Sequence, residues 1–76
     1  MAELQAEMLA QLDVAGPGRT IAEGVMERLG QAERDGAITR AQHKAVAEAV
    51  LARAKERKKA AIMLKLIQYV RRLGST

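Results

Sequence analysis

The chain has no cysteine, no tryptophan and no phenylalanine, and among its 76 residues there is one tyrosine, one histidine and one proline. Without cysteine there is neither a disulfide nor a thiolate metal centre, and the single histidine, His43, has no second histidine or convincing carboxylate partner in the pattern. His43 is therefore expected at the surface or in an interface, with no metal, cofactor or catalytic role, and no small-molecule substrate is expected. The longest unbroken apolar run, Ala60 to Leu64, falls far short of the roughly 20 residues of a membrane span. Glu3 and Glu7 stand where a secretory signal needs a basic start and an apolar core. A cytoplasmic location, or one inside a macromolecular assembly, is the expectation.

Scarcity of aromatic and β-branched residues also argues against a sheet. What is present is Ala, Leu, Glu, Gln, Lys and Arg, the strong helix formers, so the reading is an all-α fold in one small domain over residues 1–76. A chain this short buries only about 60% of its unfolded surface. With disulfide and metal excluded, oligomerisation is the remaining way to add stability.

Two punctuation points divide the chain. Gly16-Pro17-Gly18 interrupts it as a loop over residues 14–19, and Asp35-Gly36 marks a second turn. Helix 1 is expected over residues 2–13, with Leu4, Met8 and Leu12 four apart and Leu9 widening the stripe. Helix 2 is expected over residues 20–35, opened by a capping box at Thr20 and Glu23, buried through Ile21, Val25, Met26, Leu29 and Ala32, and closed by Gly36. Gly24 and Gly30 weaken it unless they admit a close neighbour. Helix 3 opens with a second capping box, Thr39 and Gln42, and meets no proline or glycine before Gly74.

That predicts one long helix over residues 39–73, about 50 Å at 1.5 Å per residue, with Ala41, Ala45, Val46, Ala49, Val50 and Ala52 offering small side chains to a neighbour. Its later part, residues 60–73, is apolar on two adjacent faces, more than one neighbouring helix can cover. Either the helix kinks near residues 55–59 and the chain closes into a compact bundle, or a second copy supplies the missing surface. The second copy is preferred, giving an antiparallel helical hairpin that oligomerises, with helix 1 lying against residues 60–73 and its acids near Lys59, Lys65, Arg71 and Arg72. The interface is assigned to Ile62, Met63, Leu66, Ile67, Tyr69, Val70 and Leu73.

Charge supplies a second candidate surface. Residues 53–73 carry a net charge of +7 while residues 1–52 carry −3. Arg53, Lys55, Arg57, Lys58, Lys59, Arg71 and Arg72 are the candidate phosphate contacts of a small basic nucleic-acid-binding protein. Base-specific reading is not expected, because Asp35-Gly36 and Gln42 fit a helix-turn-helix poorly. A membrane-surface role for residues 60–73 is disfavoured by the narrow polar face and the lack of Trp and Phe. A phosphate loop at Gly16-Pro17-Gly18 is disfavoured by the absence of a preceding strand and of a following lysine-hydroxyl pair. The sequence thus favours a non-catalytic assembly or protein-interaction subunit, a homo-oligomer or part of a larger complex, over a nucleic-acid binder.

Overall fold

The computed structural model describes residues 2–74 and is all-α, with no strand among them. Four helices form where three were expected: α1, Ala2–Ala10, continued by a 3-10 turn over Gln11–Asp13; α2, Gly18–Arg34; α3, Arg40–Glu56; and α4, Ala60–Gly74. The apolar spacing read in α1 and α2 is the buried face. Leu4, Met8 and Leu12 from the first segment and Ala22, Val25, Leu29 and Ala32 from α2 lie inside, with Leu9, Ile21 and Met26 half-buried against them.

The α2–α3 turn follows from local chemistry. Gly36 has φ 79°, a conformation that costs an L side chain about 1–2 kcal/mol and glycine almost nothing. Around it the Gly36 amide donates to the Glu33 carbonyl and the Ala37 amide to the Ala32 carbonyl, satisfying two carbonyls that the helix end leaves open. Thr39 then caps α3 as expected. Its hydroxyl accepts from the Gln42 amide at 3.1 Å, and its own amide donates to the Gln42 side chain at 2.9 Å.

The start of α2 corrects the sequence reading. The helix begins at Gly18, two residues ahead of Thr20, with extended Pro17 at the capping position and no side-chain cap. Proline's fixed φ sets the entry, and the Pro17 carbonyl accepts the Ile21 amide. Gly18 is needed there for space: a Cβ on it would lie 3.0 Å from the Ala61 Cβ of α4. Gly24 faces open space, and the tightest approach to α4 is at Gly18, while a Cβ on Gly30 would lie 3.3 Å from the Arg34 guanidinium and 4.0 Å from the Tyr69 hydroxyl.

The larger correction is at residues 57–59. No 39–73 helix exists; the chain reverses there, and the kinked alternative holds. Arg57 ends α3, Lys58 has φ 56°, and the Lys58 and Lys59 amides donate to the Lys55 and Ala54 carbonyls at 3.1 and 3.0 Å. This is the same bonding pattern as at Gly36, with lysine in the left-handed position that glycine normally takes. The lysine costs about 1–2 kcal/mol. Folding back lets α4 bury Ile62 and Leu66 completely, at about 1.5–3 kcal/mol each, so the reversal wins.

α4 packs between α2 and α3, running parallel to α2 and antiparallel to α3, while α1 packs chiefly on α3. The Tyr69 hydroxyl of α4 lies 3.3 Å from the Met26 carbonyl of α2. Helix 1 therefore does not lie along residues 60–73. Its acids pair elsewhere, Glu7 with Arg28 and Asp13 with Arg57. In α3 the buried face is Val46, Ala47, Val50 and Ala54, whereas Ala41, Ala45 and Ala52 are exposed. No helix among the described residues is long and apolar enough to cross a membrane.

Candidate interaction surface and a buried polar network

Turning α4 back on its own chain divides the expected interface residues into three groups. Ile62 and Leu66 are spent inside the core; Met63, Tyr69, Val70 and Leu73 are half-buried against it; Ile67 is half-buried on the flank. Leu64, not among the expected residues, is the large apolar side chain that α4 presents to solvent, 64% exposed. It stands on the outer face with Ala60, Ala61, Gln68 and Arg71, one and two turns away, all exposed. Beside it a shallow cleft of about 280 Å³ is lined by Arg19, Ala61, Leu64, Lys65 and Gln68. From residue 57 to residue 74 there is no carboxylate side chain, so α4 contributes only cationic charge to this face.

The basic residues also separate. Arg53 pairs with Glu56 at 3.6 Å and Arg57 with Asp13, while the Arg72 guanidinium sits 5.8 Å from the Tyr69 ring centre. Lys55, Lys58 and Lys59 are exposed at the α3–α4 turn, with no carboxylate in ion-pair range among the described residues. Arg71 is exposed near the far end of α4. The candidate phosphate contacts thus form one compact corner and one distant end, not a continuous stripe.

A second cleft of about 280 Å³ lies between the Val14–Gly18 loop and the start of α4, where Val14 is half exposed. A third, of about 220 Å³, lies where α1 meets Arg28, Ala32 and Ile38. Among the described residues no group of three His, Cys, Asp or Glu side chains is placed to hold a metal ion.

His43 corrects the sequence reading most sharply, because it is 3% exposed and lies in the core. Its Nδ1 is 2.7 Å from a Glu33 carboxylate oxygen and its Nε2 is 2.5 Å from the Tyr69 hydroxyl. Arg40 donates to the same carboxylate at 2.9 and 3.1 Å. Arg40 and then His43 hold the Glu33 carboxyl below its ordinary value, while burial, helped by the Glu33 charge, pushes the Tyr69 phenol above its own.

The protons of this chain of contacts can be counted. With Nδ1–H donating to Glu33, a neutral ring leaves Nε2 to accept the Tyr69 hydroxyl proton, and the Met26 carbonyl receives none from the phenol. A doubly protonated ring donates at both nitrogens, and the phenol then donates to Met26. In outline Tyr69, His43 and Glu33 have the connectivity of a nucleophile, its base and an orienting acid. None of the three clefts above is lined by any of these residues. They fasten α2, α3 and α4 together.

Glu33 and His43 are symmetric about residue 38 in the α2–α3 hairpin, so their meeting was legible from the Gly36 turn. Tyr69 reaches them only because the chain reverses at Lys58, and no residue type in the sequence announces that. Comparison of the chain with protein-family models, with curated proteins and with solved structures finds no match in any of the three.

Proposed function

We propose that this protein is a non-catalytic helical interaction module that associates through α4, residues 60–73. The observation that carries the reading is the exposed Leu64, flanked by half-buried Met63, Ile67 and Val70, on a helix whose other face is already committed to the core. A leucine 64% exposed forfeits burial worth on the order of 1.5 kcal/mol or more, which a docked partner would recover. The single aromatic, Tyr69, turns inward to His43 and Met26, so the face has no aromatic anchor for a lipid surface.

The test is the native mass of the purified chain across concentration, for wild type and for Leu64→Asp and Ile67→Asp. Association through this face gives a species heavier than the 8.3 kDa monomer that both variants reduce to monomer. An unchanged mass in the variants assigns the contact elsewhere.

A second reading rests on the uncompensated lysines at the α3–α4 turn. Lys55, Lys58 and Lys59, with Arg71, supply charge for sequence-independent phosphate contact whose affinity falls steeply with salt. The inward Tyr69 leaves no platform for stacking single-stranded bases. With one tyrosine and no tryptophan, bound nucleic acid dominates the ultraviolet absorbance of purified material. Replacing Lys55, Lys58 and Lys59 by Gln abolishes such binding under this reading and leaves α4-mediated association intact.

A further inference from the structure

We propose that α4 exchanges between two copies of this chain, the turn at residues 57–59 straightening so that α3 and α4 become one helix and each α4 docks in the other copy's groove between α2 and α3. The inference rests on association through residues 60–73, names the partner as a second copy, and assigns the contact to the inner face of α4 in place of the outer one.

The two reversals of the chain are built from the same backbone bonds but from different residues. At the α2–α3 turn the left-handed position is Gly36, followed by Ala37, Ile38 and the Thr39 cap. That turn is fixed by its composition. At the α3–α4 turn the left-handed position is Lys58, in the run Ala54-Lys55-Glu56-Arg57-Lys58-Lys59-Ala60-Ala61, in which every residue is a strong helix former. A side chain held at φ 56° and a sequence that prefers helix both favour straightening. The side-chain ion pair from another element that holds the turn closed is Asp13 with Arg57, on the surface.

Exchange re-forms every contact that α4 makes. Ile62 and Leu66 enter an identical core, and the Tyr69 hydroxyl completes the same bonds to His43 and Met26. The polar network then joins Glu33 and His43 of one copy with Tyr69 of the other. Closed and exchanged forms therefore differ mainly at the hinge, the usual condition for swapping an element between protomers. In the exchanged form the two Lys55, Lys58 and Lys59 clusters come together near the symmetry axis, so the dimer gains from salt, which screens them.

The experiment refolds the full chain from denaturant at low and high protein concentration and at low and high salt, and weighs the product by light scattering. The expected result is a dimer of twice 8.3 kDa whose yield rises with both concentration and salt. Lys58→Gly relaxes the closed turn and lowers the dimerisation constant at least about tenfold. Lys58→Ala keeps a Cβ at that position and favours helix, so the dimer yield rises. Topology is read by spin labels at Glu48 and Gln68, both exposed, with labelled chain diluted into unlabelled chain. Within one exchanged chain the two backbone positions stand about 30 Å apart along the helix axis; in the closed form they are equidistant from the turn and stand at the same level on two adjacent antiparallel helices.

A dimer with a short Glu48–Gln68 distance, or one indifferent to residue 58 but lost in Leu64→Asp, overturns the exchange and leaves docking through the outer face standing. A wild type and a Lys58→Ala variant that stay monomeric at every concentration and salt overturn both.

Discussion

The buried network gives the sharpest stability prediction. Tyr69→Phe keeps the ring in place and deletes one oxygen, the group 2.5 Å from His43 Nε2 and 3.3 Å from the Met26 carbonyl. The Met26 contact is long and weak, so its loss matters little. His43 is 3% exposed, and no buried side-chain nitrogen or oxygen among the described residues lacks a partner in the native protein. The variant strands Nε2 in the core, at about 1–3 kcal/mol. In a domain of this size that lowers the melting temperature by roughly 4–8 °C per kcal/mol. Circular dichroism of the backbone at 222 nm follows the unfolding, since the substitution removes the one side chain that absorbs near 280 nm.

The double variant His43→Leu with Tyr69→Phe removes both ends of the contact and leaves nothing stranded, because Glu33 remains about a quarter exposed and paired with Arg40. It should cost less than the sum of the two single variants, by an interaction energy of roughly 0.5–3 kcal/mol. Additive losses, or a Tyr69→Phe variant as stable as wild type, would refute the view that the phenol serves mainly to satisfy a buried imidazole.

Three further predictions read other parts of the fold. Gly18→Ala places a methyl 3.0 Å from the Ala61 Cβ and destabilises by about 1–3 kcal/mol, whereas Gly24→Ala, with open space around it, stabilises by up to about 1 kcal/mol; urea melts of the pair give opposite signs. Leu66→Ala in the core costs about 2–5 kcal/mol, while Leu64→Ala on the surface stays within about 0.5 kcal/mol, and equal losses would mean α4 is rotated from the face described. The raised Tyr69 value gives a stabilising contribution that is fully present below the ordinary phenol value of 10.0 and is lost as pH rises through the folded value. Absorbance at 295 nm should therefore show alkaline ionisation of Tyr69 coupled to loss of helix, and a titration identical to that of free tyrosine with helix intact would count against it.

The inner faces were legible wherever a stripe and its turn lay in one local stretch. Leu4, Met8 and Leu12 repeat every four residues, and Val25, Leu29 and Ala32 follow the helical period, so both faces could be read with no knowledge of what they touch. The Thr39 box and the Gly36 cap were legible because both are contacts within a few residues. The break near residues 55–59 was legible only as the alternative to a second copy. Propensity over residues 54–61 favours helix, and the opposing term, the burial of Ile62 and Leu66, comes from α2 and α3 far away in sequence. The surplus of apolar surface on residues 60–73 was a correct observation that allowed two remedies, and the chain takes the one that costs a left-handed lysine. Preferring the unbroken helix over a break near residues 55–59 also displaced helix 1, hid the Tyr69–His43 contact, and left His43 assigned to the surface. At the start of α2, Thr20 and Glu23 had the right types for a cap, but Pro17 and the space under Ala61 had already set where the helix begins.

The contrast between the two turns also orders events in time. Bonds around Gly36 and Thr39 span at most six residues, so the α2–α3 hairpin can form before any distant contact exists, at the low loop-closure cost that makes local structure fast. α4 packs across both members of that hairpin, and its own turn, with a left-handed lysine, resists it. The expected folding nucleus is therefore α2 with α3. Substitutions at Val25 or Val50 should slow refolding, while substitutions at Ile62 or Leu66 should chiefly speed unfolding. The last helix to dock is then the one whose delay leaves time for another chain to arrive.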